Sequence, residues 1–97
     1  MKFKTTYNQY IANSTTKTFR TGAGEVHAII LFCAAASAEL TVFYDNTAGS
    51  GNVLLTLAVI DTAPVVIFFP PHMPLQFSTG ITVLTPANTR GFVIVAY

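Results

Sequence analysis

The feature that most restricts the fold is a nearly continuous succession of short runs rich in Val, Ile, Phe, Tyr and Thr, most of them closed by turn-forming residues. They are TKTFRT (16–21), EVHAIILFC (25–33), ELTVFYD (39–45), NVLLTLAVI (52–60), APVVIFF (63–69), LQF (75–77), GITVLT (80–85) and RGFVIVAY (90–97). β-Branched and aromatic residues fit a pleated, half-buried backbone, whereas Gly, Pro, Asn and Asp break it. Strand-like runs recurring at about 8–12 residues are the pattern of an all-β sandwich or barrel. No segment sustains a helical apolar period. CAAASAE (33–39) is too short for the crossover that parallel strands require, so it is expected as a hairpin loop. The prediction is an all-β protein, an antiparallel β-sandwich of jelly-roll-like form with about seven to eight strands.

The runs are unusual in being apolar on both faces. Val26, Ala28, Ile30 and Phe32 are expected on one face of their strand, with Ile29, Leu31 and Cys33 on the other. Val53, Leu55, Leu57 and Val59 likewise oppose Leu54, Thr56, Ala58 and Ile60, and Phe92, Ile94 and Ala96 oppose Val93, Val95 and Tyr97. An antiparallel sheet with one wet face should alternate apolar and polar residues. One face can fill the core, and the other needs a covering partner.

Composition leads the same way. Charged residues make up 9% of the 97-residue chain, against about 25% in ordinary soluble domains. A domain this small has much surface per residue, and charges normally occupy it. Large exposed apolar patches mark interfaces, so obligate self-assembly is expected. A membrane span is not, because AIILFCAAA (28–36) and APVVIFFPP (63–71) fall far short of the roughly 20 residues a spanning helix needs. The first ten residues lack the apolar core of a secretion signal, which fits synthesis in a cytoplasm. A net charge of +1 argues against nucleic acid as partner. Lys2, Lys4, Lys17 and Arg20 nevertheless precede the first acid, Glu25. Residues 1–16, polar and rich in Thr and Asn, are expected as an extended N-terminal arm, and 17–97 as a single sandwich domain.

Little points to chemistry. DNTAGSGN (45–52) offers oxygens from Asp45, Asn46, Ser50 and Asn52, but it has one carboxylate and no calcium-loop pattern. Gly49 and Gly51 permit positive φ, and Asp45 and Asn46 can bond their own backbone, so a hairpin turn is expected. His27 and His72 are too far apart in sequence for a paired zinc motif. Glu25, Glu39, Asp45 and Asp61 are isolated in sequence, and Cys33 has no charged neighbour to activate it. TGAGE (21–25) lacks the Lys-Ser/Thr of a phosphate loop. The expectation is a protein that is not an enzyme and has no catalytic, cofactor or metal site.

Two segments suggest contacts instead. Phe68, Phe69, Pro70, Pro71 and Met73 form a stiff apolar strip of the composition enriched at protein interfaces, and its prolines would block open-ended strand pairing. The arm, with Lys2, Lys4, Tyr7 and Tyr10, could reach a neighbouring subunit.

ELTVFYDNTAGSGNVLLTL (39–57), followed by PLQFSTGITVLT (74–85) and GFVIVAY (91–97), resembles small β-sandwich virion proteins of tailed bacteriophages, above all head decoration or cement proteins. The resemblance spans roughly residues 20–97 and rests on fold-keeping features: a small-residue loop, a strand ending in Tyr-Asp-Asn-Thr, a Gly/Ser turn and a terminal apolar strand. It implies a structural protein on the capsid surface, a homotrimer that reinforces contacts between subunits of the major capsid protein. The rival expectation is a phage tail or fibre module that binds host-surface glycan.

Overall fold

The computed structural model describes residues 4–70 and 72–97. They form nine strands and no helix: β1 (Thr6–Ile11), β2 (Thr15–Thr21), β3 (Gly24–Cys33), β4 (Glu39–Tyr44), β5 (Val53–Val59), β6 (Val65–Phe68), β7 (Leu75–Phe77), β8 (Gly80–Thr85) and β9 (Thr89–Ala96). All pairings between them are antiparallel. β4 pairs with β5, β3 with β6 and β7, β2 with β8, and β1 with β9, so the chain is one long hairpin whose tip is the turn after Tyr44. Rolling that hairpin adds the pairs β3–β9 and β4–β8 and yields two sheets, β1-β9-β3-β6 and β2-β8-β4-β5. This is jelly-roll topology. β6 and β7 pair successive stretches of β3, so the nine strands fill eight positions.

Three bulges set which side chains enter the core. Val26 pairs with Val95 but Ala28 pairs with Ile94, leaving His27 as an extra residue on β3. That shift reverses the alternation expected for β3. Val26 joins Ile29, Leu31 and Cys33 on the core side, while Ala28, Ile30 and Phe32 face outward. Phe19 is the extra residue on β2 and Leu54 on β5. The core between the sheets is Ile11, Val26, Ile29, Leu31, Val93 and Val95 against Phe43, Val59, Ile81 and Val83, all fully buried.

Two expectations are corrected. Thr6–Ile11, within the 1–16 stretch expected as an extended N-terminal arm apart from the sandwich, is an outer strand of the first sheet, paired along its whole length with β9. Ile11 is fully buried and Tyr7 packs against the core, because residues four apart share a face in a strand as well as in a helix. The 34–38 segment is not a hairpin loop. It carries the chain from β3 in one sheet to β4 in the other.

The turn at 45–52 does reverse the chain, with Asp45 N–H donating to the Asn52 carbonyl at 2.8 Å and Gly51 at φ 95°. Its polar residues also tie it to the β7–β8 connection. The Asp45 carboxylate accepts from the backbone N–H of Ser78 (3.1 Å), Thr79 (2.9 Å) and Gly80 (3.4 Å) and from the Ser78 hydroxyl (3.2 Å). Desolvation pushes this carboxyl up, but those donors outweigh it and hold it below its usual range. Glu39 is lowered chiefly by the Asn88 side-chain amide, with the Asn88 N–H and the Thr89 hydroxyl adding to it against desolvation. Folded values below the unfolded ones mean stabilisation that is complete above the unfolded pKa, near 4, and is lost as pH falls through the folded pKa. Thermal midpoints measured from pH 7 to 2.5 should therefore drop on the acid side. Asp45→Asn should cost about 1 kcal/mol at neutral pH, after allowance for solvent screening, and flatten that drop.

Candidate functional site

The outer face of the β1-β9-β3-β6 sheet is an uncovered apolar surface built by register. Tyr10, Phe92, Ile30 and Val66 lie in one row across the four strands, and Asn8, Ile94, Ala28 and Phe68 in the next. Phe32 and Arg90 pair at one end of the face, Glu25 and Ala96 at the other. Tyr10 is 50% exposed, Val66 54% and Phe68 70%, so the face is open to water in the single chain. Aromatic residues, and Arg among the charged ones, are what interface centres favour. The outer face of the other sheet differs. It mixes Leu40, Val42, Tyr44 and Leu84 with Thr16, Thr18, Thr56 and Thr82.

At the Phe32–Arg90 end the face dips into a depression of about 460 Å³ lined by Tyr10, Phe32, Arg90, Gly91 and Phe92. A second hollow of about 230 Å³ shares Phe32 and Arg90 and adds Asn13, Ala34, Ala87 and Asn88. The Tyr10 and Phe92 rings meet edge to face at 5.6 Å. Among the described residues the Arg90 guanidinium has no ion pair. Aromatic rings beside a free planar cation can stack on a flat group while pairing with an anion.

The residues singled out in the sequence are placed as follows. Phe68 and Met73 are exposed, and the Pro70 carbonyl accepts from the Met73 N–H between β6 and β7. Phe69 points the other way, against the core, with its N–H donating to the His27 carbonyl at 2.8 Å. Pro71 and Lys2 lie outside the described residues. Lys4 pairs with Glu25 at 3.3 Å, and His27 Nε2 lies 3.1 Å from the other Glu25 oxygen. The His27 hydrogen bond is the main influence lowering the Glu25 carboxyl, and Lys4 adds to it against desolvation. Tyr7 stacks on Tyr97 at 4.5 Å, and the Arg20 guanidinium lies 4.1 Å from the Tyr97 ring, so this Tyr is spent within the chain while Tyr10 faces outward.

Glu25, Glu39 and Asp45 each serve a different structural junction, and Cys33 is buried with its thiol toward Glu39 at 3.7 Å. Among the described residues no three of His, Cys, Asp and Glu come together. Sequence reasoning singled out the 68–73 strip but missed the combination of Tyr10, Phe32, Arg90 and Phe92. Its signal was the outward phase of three strands, which could not be read without the pairing.

Fold and surface together define an antiparallel jelly-roll whose largest feature is an aromatic, nearly uncharged sheet face. No protein-family model, curated protein or solved structure matches the chain.

Proposed function

We propose that the protein is a structural assembly protein, a phage capsid decoration protein that oligomerises and binds coat subunits through the outer face of the β1-β9-β3-β6 sheet. The observation that carries this reading is that face: Tyr10, Phe32, Val66, Phe68 and Phe92 are left in water on a chain with few charges to keep it apart from others. Covering them removes apolar area worth about 25 cal/mol per Å². The jelly-roll recurs in viral capsids, although fold alone does not assign function. The likeness to head decoration proteins in residues 20–97 adds the capsid as partner and the trimer as assembly.

The test is to add purified protein to capsids of the virus that encodes it and measure occupancy and heat resistance. Phe92→Lys, which changes only an outward side chain, is expected to lower the assembled mass and to cut capsid occupancy at least tenfold while leaving the circular dichroism spectrum unchanged. A native chain that is monomeric at high concentration and ignores the capsid would refute the proposal.

The aromatic depression favours a second reading, a tail or fibre module that binds an acidic glycan. The sugar's apolar face would stack on Phe92 or Tyr10 and its carboxylate would meet Arg90. Binding on a glycan array that Arg90→Ala abolishes would support it.

A further inference from the structure

The Phe32–Arg90 corner of the outer face is shaped by where the strands stop. The next row in, Tyr10–Phe92–Ile30–Val66, is four strands wide. The Phe32–Arg90 row is two, because β1 ends with Ile11 opposite Gly91 and β6 begins with Val65 opposite Leu31. No side chain of β1 or β6 therefore stands beside that pair, and the hollows of about 460 Å³ and 230 Å³ both open on it. The loops around the corner are tied together. The Asn13 amide donates to the Ala87 carbonyl at 2.8 Å, the Ser14 N–H to the Pro86 carbonyl at 3.0 Å, and the Ala34 N–H to the Asn88 carbonyl at 2.9 Å. A site already fixed in the free chain spares its ligand the cost of ordering it.

The chemistry of the corner is one-sided. Arg90 is the only charged residue lining either hollow, and among the described residues it has no ion pair. Glu39, bonded to Asn88 and Thr89, lines neither. A guanidinium takes a carboxylate through two parallel hydrogen bonds. On one side of Arg90 the amides of Asn13 and Asn88 line the smaller hollow, and on the other the rings of Tyr10 and Phe92 line the larger. The spacing selects among anions. Arg90 and Phe92 are two residues apart on β9, so their side chains share a face at roughly 7 Å. An extended peptide sets its own side chains i and i+2 on one side at that same separation. A sugar ring carries hydroxyls around its rim, and the aromatic hollow has only Arg90 and the Tyr10 hydroxyl among its side chains to bond them.

We infer that this corner docks an extended segment of a partner protein, in which an Asp or Glu side chain pairs with Arg90 and an apolar side chain two residues away enters the hollow between Tyr10 and Phe92. The inference rests on the outer face being a partner-binding surface, and it adds the chemistry of the segment that the face takes. The Asn13 and Asn88 amides lie where the backbone of that segment continues past Arg90.

The experiment immobilises the full chain at low density, so that copies do not cover one another, and passes end-blocked peptides over it. The probe is Gly-Ser-Asp-Ser-Leu-Ser-Gly, expected to bind at least tenfold more tightly than the same peptide with Asn for Asp, with Ser for Leu, or with Asp and Leu adjacent. Arg90→Gln should lose the probe by a similar factor. Arg90→Glu should lose it and gain the peptide with Lys for Asp, with the circular dichroism spectrum unchanged in both variants. A merely structural role for Arg90 would not follow the sign of the charge. Equal binding of the Asp and Asn peptides, binding that survives Arg90→Gln, or an Arg90→Glu chain indifferent to the peptide's charge would overturn the inference. Tighter binding of 3′-sialyllactose than of the probe would give the corner to glycan and overturn it as well. Capsid occupancy lost in Phe92→Lys with no probe bound by the native chain would overturn the peptide site and leave the assembly face standing. Probe binding that follows Arg90, with capsid occupancy indifferent to Phe92→Lys, would do the reverse.

Discussion

Replacing Gly91 with alanine is expected to leave little folded protein at 37 °C. Gly91 lies on β9, between Ile11 of β1 and Leu31 of β3. A Cβ built there would collide with the Ile30 carbonyl oxygen and come within 2.9 Å of the Ile30 carbonyl carbon and 3.0 Å of Leu31 Cα. These are backbone atoms of a paired strand, so no side-chain rotation relieves the clash. The strands must part, and the β3–β9 pairing is the seam on which the first sheet is built. Overpacking a side chain costs about 1–3 kcal/mol, and a clash with backbone belongs at or above the top of that range. For a domain of this length, about 3 kcal/mol lowers the thermal midpoint by roughly 15 °C or more. Gly49→Ala is the control. Its Cβ would press on a Thr16 methyl alone, which can turn aside, and a change within about 1 kcal/mol is expected. Calorimetry on both variants decides the matter.

Phe43→Ala should come next in severity. Phe43 is fully buried on β4, opposite Leu55 of β5 and Val83 of β8. Removing the ring leaves a cavity in a close-packed interior, at a cost of about 3–5 kcal/mol. Urea unfolding should show a lower midpoint with little change in slope. Phe92→Ala is the informative comparison. That ring stands on the outer face of β9, 38% exposed, and its removal should cost about 1 kcal/mol or less in the isolated chain while weakening any assembly through that face. Two phenylalanines in similar apolar runs would thus separate folding from association.

The two residues also show where sequence reasoning stops. FVIV at 92–95 and TVFY at 41–44 both read as strands, because their residue types favour extended backbone whatever surrounds them. The turn at 45–52 was legible for the same local reason: Asn46 bonds the Thr47 N–H and the Ser50 carbonyl and Gly51 takes a positive φ, whereas the Asp45 carboxylate, expected to bond its own backbone, reaches the distant β7–β8 connection. β1 was not. Thr6–Ile11 has poor apolar contrast, and it is held by β9 and by Tyr97 at the far end of the chain. The strip at 68–73 was legible as apolar, but that Phe69 turns inward while Phe68 and Met73 stay in water follows from the β3 pairing.

By itself, then, the sequence determined that this chain would be an antiparallel sandwich of short strands with more apolar faces than one core can use. That much follows from side-chain shape, hydropathy and turn chemistry, which act over a few neighbouring residues. The tertiary structure alone decided which of those faces is outermost. A period of two marks alternate residues without saying which set points inward. The phase is fixed by partners far along the chain and is shifted by the single extra residues His27 and Leu54. The aromatic face around Phe92 and the hollows at its Phe32–Arg90 end exist only once those pairings are made.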